Sequence, residues 1–212
     1  MLIQGQVGAP GASSAPNANP TVRMGALNDL IVSELQGRYY ESVYRGQVYT
    51  MSTAAAGVNV SAQAISPCSA GGTALMCLYN PLGNLFNAVI LRAGLATVSG
   101  TPGGPVAYNV IPSTTITAAA NLTPVNNKTF NASGSSMKGF SNTALTGSVI
   151  ATMLRTLGGQ AAIAVGAGIN SVMEEVAGDI ILVPGAALIL APVAAGTTHT
   201  ASCFLTWAEM AI

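Results

Sequence analysis

Alternation of apolar and polar residues is clearest at the end of the chain. Within residues 200–209, the positions Ala201, Cys203, Leu205 and Trp207 recur at every second residue. A period of two places them on one face of an extended segment. The pattern therefore predicts a terminal strand with one face in the core.

The preceding apolar run, residues 180–190, is interrupted by Pro184-Gly185 and resumes at once. A Pro-Gly pair inside a β-rich run is typical of a tight turn. The sequence here predicts a strand, a turn and a second strand.

Shorter runs of the same kind fill the chain from Gly37 onward. Strands are predicted at residues 44–51, 57–64, 73–79, 85–92 (covered on both faces) and 107–111, a loop at 98–105, and either a helix or a strand at 149–157. About 8–10 short strands without a βαβ rhythm predict an all-β fold, an antiparallel β-sandwich of jelly-roll type. Residues 113–142 show only weak periodicity.

The N-terminal segment has a different composition. Residues 1–22 are rich in Gly, Ala, Ser, Asn and Pro and cannot form a core of their own. The spacing of Leu27, Leu30 and Ile31 predicts one short helix after them. We expect an extended arm over residues 1–36 and a sandwich domain over residues 37–212.

Charge is scarce throughout the chain. Seven basic and seven acidic residues make up only 7% of the 212 residues and give no net charge, against about 25% charged residues in ordinary soluble proteins. A folded monomer of 21.2 kDa should expose roughly 9,000 Å², or about one charge per 650 Å². We expect other subunits to cover much of this surface. The scattered basic residues exclude duplex nucleic acid as a partner.

Membrane insertion and export are not expected. The longest apolar stretch, residues 180–195, contains Pro184, Gly185 and Pro192, so it is too interrupted for a spanning helix. The first residues have no basic segment before an apolar run, which argues against a secretory signal. Three cysteines without paired spacing predict reduced thiols, and a Cys68–Cys77 disulfide is the alternative.

Candidate catalytic chemistry is sparse. The single histidine, His199, is predicted to be a polar loop residue between threonines, and Glu174-Glu175 a solvated turn. The Gly-Ala-Gly at residues 166–168 lacks the third glycine of a dinucleotide fingerprint. We expect no metal, no cofactor and no enzymatic activity.

Tyrosines interleaved with arginines form the densest polar and aromatic cluster. They are Tyr39, Tyr40, Tyr44 and Tyr49, with Arg38 and Arg45 between them. The favoured interpretation is a first sandwich strand with a subunit contact, and the alternative is a platform for a glycan. The candidate interface residues are Leu2, Ile3, Val7, Val22, Leu27, Leu30, Ile31, Arg38, Tyr39, Tyr40, Tyr44 and Tyr49.

Four segments resemble a known group of proteins. They are residues 37–58, Leu78-Tyr-Asn-Pro81, residues 178–185 and Thr206-Trp-Ala-Glu209. They resemble a loose group of tailed-bacteriophage virion proteins, over roughly residues 37–92 and 174–209. The resemblance implies a jelly-roll-like sandwich, usually a homotrimer, in head decoration, cement or fibre components, and it implies no catalytic residues.

We therefore expect a structural virion protein, a decoration or cement subunit that stabilises a phage head. Its partners would be copies of itself, the major capsid protein or neighbouring virion subunits, and it would assemble in the host cytoplasm. One alternative is a fibre or spike head that binds a host glycan. Another is a self-assembling surface or filament protein.

Overall fold

A computed structural model describes residues 38–68, 73–102, 104–132, 134–145, 151–158, 171–194 and 197–212. Its elements are α1 (Tyr40–Tyr44), β1 (Val48–Ser52), β2 (Val58–Asn59), a 3-10 turn (Val60–Ala62), β3 (Thr73–Ala74), β4 (Met76–Tyr79), β5 (Phe86–Thr101), β6 (Val106–Ile111), β7 (Val125–Asn126), β8 (Lys138–Phe140), β9 (Thr143–Ala144), β10 (Thr152–Gly158), β11 (Ser171–Glu175), β12 (Ile181–Leu182), β13 (Ala187–Pro192) and β14 (Thr197–Ala211). The all-β prediction is confirmed.

The larger sheet is built on two long strands, β5 and β14. Its strand order is β11-β5-β14-β1-β7, with β12 added to β5 and β2 added to β14, and every pairing is antiparallel. Ala201, Cys203, Leu205 and Trp207 are all buried, as their period of two predicts. The expected terminal strand is therefore confirmed.

The smaller sheet has the order β10-β6-β13-β4-β8 and packs on the larger one. One core cluster combines side chains from both sheets, among them Met51, Ile90, Leu95, Leu205 and Trp207 from the larger and Met76, Leu78, Tyr108, Leu188 and Leu190 from the smaller. Face-to-face burial of two antiparallel sheets is the arrangement of a β-sandwich. The jelly-roll connectivity stays a prediction.

Both faces of the central strands of the smaller sheet are buried. Cys77, Tyr79, Ile189 and Phe140 point away from the main core into a second cluster, which is completed by Cys68, Ile116, Leu145 and Ala151 from the loops. Every residue of β4 and β13 is buried. Loops that cover the second face explain why these strands are continuous apolar runs without alternation.

The Pro184-Gly185 turn joins strands of different sheets. β12 pairs with β5, whereas β13 pairs with β4 and β6. The predicted strand, turn and strand are present, but they form a crossing between the two layers. Gly185 has a φ of 89°, a left-handed conformation that favours glycine, and Leu82 Cδ2 would lie 2.7 Å from a β-carbon there.

Three expectations around the long strands are wrong. Residues 98–101, expected in a loop, continue β5 to Thr101; His199 lies in β14; and Glu174 and Glu175 lie in β11. β5 and β14 pair from Phe86–Ala211 to Thr101–Thr197. The hydrogen bonds of this ladder outweigh the turn preference of Gly, Thr and Ser, which is a local property.

Other boundaries also shift. Residues 40–44 are helical, so the first strand begins at Val48, and the strand expected at 57–64 is only Val58–Asn59 before the 3-10 turn. Residues 152–158 form a strand, which decides between the two alternatives for 149–157. The expected arm and helix over residues 1–36 lie outside the described residues.

Candidate interaction surface

The described part of the chain contains little catalytic chemistry. No group of three or more His, Cys, Asp or Glu side chains in it could hold a metal ion. Likewise, none of its helices has the length and apolar character needed to cross a membrane. The expectation that the chain is not an enzyme stays a prediction.

His199 is a structural residue of β14. It is buried, its Nε2 lies 3.2 Å from Thr97 Oγ1, and its backbone N–H donates to Ser61 Oγ. Burial lowers the pKa of His199. The neutral imidazole is therefore the form that the fold prefers.

The three cysteines are buried free thiols, in agreement with the expectation of reduced cysteines. Burial raises the pKa of Cys68 to about 11 and that of Cys203 to about 12. The pKa of Cys77 is also raised, by burial and then by the neighbouring Cys68. A thiolate is therefore disfavoured at each position, as expected of inert core cysteines.

A buried carboxylate closes one end of the sandwich. Glu209 accepts hydrogen bonds from Ser135 Oγ (2.5 Å), Ser136 Oγ (2.7 Å), the Ser136 backbone N–H (3.1 Å) and Trp207 Nε1 (3.2 Å). The residue is only 5% exposed. Its acceptor capacity is satisfied within the chain, so Glu209 fixes residues 135–136 against β14.

Two asparagines extend this network to the adjoining loop. Asn80 Nδ2 donates to the carbonyl oxygens of Phe86 and Leu182, both at 2.9 Å, and Asn80 Oδ1 accepts from Asn84 Nδ2 at 2.7 Å. Asn84 Nδ2 also contacts Ser136 Oγ at 3.0 Å. The loop at residues 81–85 is therefore held to β5, β12 and the Glu209 cluster by hydrogen bonds.

Exposed apolar side chains surround this polar network. We call them the end patch: Leu82, Leu85, Phe86, Ile181, Val183, Met210 and Ile212. Leu85 and Ile212 are each 75% exposed. Large apolar side chains exposed in such a group at one end of a fold indicate an interaction site.

The register of three neighbouring strands brings the end patch together. Ile181 pairs with Val89, and Met210 pairs with Asn87, so β12 and β14 lie on either side of β5. The Ile212 backbone N–H donates to the Leu85 carbonyl oxygen at 3.0 Å. The residues thus come from three separate parts of the sequence.

The neighbouring loop carries another exposed aromatic residue. Asn126 Oδ1 accepts from the backbone N–H groups of Lys128 and Thr129, and its Nδ2 donates to the Gly46 carbonyl oxygen. Phe130 follows with a φ of 58° and is exposed. A bulky residue in the left-handed region is uncommon, so hydrogen bonds hold this loop in a strained conformation.

Ion pairs lie further along β5, on its β11 side, where the two sheets meet. Arg155 of β10 contacts Glu174 of β11 at 2.9 Å and Asp179 at 3.4 Å. Arg92 pairs with Glu175. The guanidinium of Arg155 also lies 5.7 Å from the centroid of the Tyr108 ring. The adjacent acidic pair is therefore a structural contact between strands, not a solvated turn.

The tyrosine cluster is divided by the fold. Tyr49 is only 8% exposed, and its ring stacks on Trp207 at 6.2 Å between centroids. Its role as an interface residue is therefore wrong, because it belongs to the core. Tyr44 is exposed, with Lys128 Nζ 4.8 Å from its ring centroid.

The other candidate interface residues have mixed outcomes. Arg38 and Tyr40 are exposed and Tyr39 is half-buried, with the Arg38 guanidinium 5.9 Å from the Tyr39 ring centroid. The candidates outside the described residues are Leu2, Ile3, Val7, Val22, Leu27, Leu30 and Ile31.

The end patch does not follow from the sequence pattern. The apolar run at residues 85–92 predicts a strand covered on both faces, whereas Leu85, Phe86 and Arg92 are exposed. One local signal does point to the patch: Leu82 stands within a turn segment, Asn80-Pro81-Leu82-Gly83, where an apolar side chain has little chance of burial.

No family model, curated protein or solved structure matches this chain.

Proposed function

We propose that the chain is a structural virion protein, a decoration or cement subunit that stabilises a phage head by burying uncharged surface against its neighbours. The end patch is the observation that carries this proposal. It presents seven large apolar side chains on loops and strand ends that internal hydrogen bonds hold in place. A preorganised apolar surface loses little conformational entropy when a partner covers it.

The distribution of charge supports the same function. The acidic side chains described beyond Glu41 are all engaged within the chain: Glu174, Glu175 and Asp179 in ion pairs, and Glu209 in hydrogen bonds. These charges serve the fold itself. The side chains of the end patch are apolar. The strength of a contact made through them therefore depends little on ionic strength.

The magnitude of burial is adequate for a contact between subunits. The exposed fractions of the seven side chains amount to on the order of 700 Å², taking about 200 Å² for a fully exposed large side chain. At about 25 cal/mol per Å², covering that area contributes roughly 18 kcal/mol before association entropy of about 4–15 kcal/mol is deducted. Contacts of this size would then hold neighbouring subunits of the shell together.

The direct test is to determine the protein composition of purified particles of the virus whose genome encodes this chain. Mass spectrometry should detect the chain at a stoichiometry comparable with the major capsid protein. The chain should stay attached after a wash in about 1 M NaCl, because apolar contacts are not screened by salt. Particles that lack the chain, or that release it at moderate salt, would contradict the proposal.

The N-terminal residues provide a second test. Within residues 1–30, only Arg23 and Asp29 have charged side chains. We propose that this segment clamps a neighbouring subunit or the shell. Deletion of residues 1–30 should weaken attachment to the particle and leave the circular dichroism of the sandwich unchanged. Full attachment of the truncated chain would contradict the clamp.

A further inference from the structure

We infer that the end patch is a contact between two copies of this chain. This inference rests on the proposed assembly function and deepens it, because it names the surface and the partner. It also goes beyond the tyrosine cluster, which supplied the interface residues expected from the sequence and whose Tyr49 is buried.

The first step is that the patch has a fixed shape. Leu82 packs against the Gly185 turn, and the carbonyl oxygens of Phe86 and Leu182 both accept from Asn80 Nδ2. β12, β5 and β14 supply the remaining residues through their paired register. Two copies can therefore meet without reordering this surface.

The second step is charge. None of the seven side chains of the end patch is charged, and the nearby Glu209 is buried and fully hydrogen-bonded. Asp179, two residues before Ile181, is exposed, but it pairs with Arg155. Uncharged side chains can meet an identical set without like-charge repulsion, which is the condition that a symmetric contact imposes. It offers nothing to recognise a phosphate backbone or a strongly charged partner.

The third step is area. The patch exposes on the order of 700 Å² of large apolar side chains, which is close to the roughly 800 Å² that each partner buries in a standard interface. The residues around the patch would add the remaining area. A second copy is therefore large enough to cover the patch and complementary to it in polarity.

The experiment compares matched valines in the full-length chain. Val183 in the end patch and Val98 near the far end of β5 are both 49% exposed. Val183→Lys should raise the dissociation constant of the oligomer at least about 100-fold, because each contact buries a lysine charge in an apolar interface. Val98→Lys should leave that constant unchanged. Sedimentation equilibrium measures both, and thermal unfolding confirms that the variants fold.

A second substitution guards against a local effect at the Pro184 turn. Leu85→Lys, on a different loop, should dissociate the oligomer to the same extent, with Leu154→Lys on β10 as its exposed control. Oligomers that persist in both patch variants would overturn the inference. A wild-type chain that is monomeric at about 100 µM, a concentration at which even weak specific contacts form, would overturn it as well.

Attachment to particles separates this inference from the proposed function. If the patch variants remain oligomeric but no longer attach to particles, the patch contacts the capsid; the inference then fails and the proposed function stands. If the patch variants dissociate while the wild-type chain is absent from particles, the inference stands and the virion function fails. A monomeric wild-type chain that is also absent from particles would refute both.

Discussion

Replacement of Glu209 by alanine should destabilise the fold far more than replacement of a partly exposed carboxylate such as Glu175. The Glu209 carboxylate is almost fully buried at one end of the sandwich and receives four hydrogen bonds from Ser135, Ser136 and Trp207. Alanine removes the acceptors without filling their volume. The donors that remain would lose this acceptor.

The expected loss in the free energy of unfolding depends on which donors can reach another acceptor. The hydroxyls of Ser135 and Ser136 can rotate to other acceptors, but the Ser136 backbone N–H and Trp207 Nε1 have fixed directions. Each buried donor without a partner costs about 1–3 kcal/mol. Lost packing of the side chain adds about 1 kcal/mol, and removal of a desolvated charge offsets part of the total. We expect a net loss of about 3–5 kcal/mol.

Urea unfolding followed by far-UV circular dichroism measures this loss. With a slope of about 2 kcal/mol per M, the midpoint of Glu209→Ala should lie about 2 M below that of the wild type. Glu175→Ala is the control: its ion pair with Arg92 is partly exposed, so its removal should cost less than about 1 kcal/mol. Equal midpoints for the two variants would show that the network around Glu209 does not stabilise this end.

Three further predictions concern the core and the far end of β5. Burial lowers the pKa of His199, so its contribution to stability is fully present above about pH 6.5 and is lost as the pH falls below that value. The wild type should lose up to about 1.4 kcal/mol per pH unit more than His199→Gln between pH 6.5 and 5, and parallel curves would contradict this. Gly100→Ala should destabilise by at least about 2 kcal/mol more than Gly83→Ala. Both glycines have positive φ, but a β-carbon at Gly100 would lie 2.2 Å from the Thr198 carbonyl oxygen and one at Gly83 would meet nothing within 4 Å. Equal losses in differential scanning calorimetry would refute the clash. A thiol reagent at pH 8 should modify no cysteine in the folded protein and three in denaturant, because all three thiols are buried; rapid labelling of the folded protein would contradict their burial.

The terminal strand shows how far local pattern reaches. Ala201, Cys203, Leu205 and Trp207 are at alternate positions in the sequence, and burial of that face is the direct result. The same reasoning failed at His199 and at residues 98–101, although they lie in the paired strands β14 and β5. Their Gly, Thr and Ser residues resemble a loop locally. Only the partner strand, about 100 residues away in sequence, supplies the ladder that keeps them extended.

The candidate surface depended even more on the tertiary structure. Leu85, Ile181 and Met210 are far apart in the sequence and share a surface only because β12, β5 and β14 are neighbours. Conversely, tyrosine is a residue type that is enriched at interfaces, but Tyr49 stacks on Trp207 inside the core. The cross-sheet contact of Arg155 with Glu174 is likewise invisible in the sequence.

The sequence by itself determined the all-β class, the apolar faces of several strands and the scarcity of charge, because these depend on residue type and on spacing within one segment. The tertiary structure decided which apolar residues stay outside, which carboxylates are satisfied internally and where the uncharged surface is concentrated. Those properties depend on contacts between segments that are distant in the chain, and strand register fixes such contacts only when the whole sheet forms.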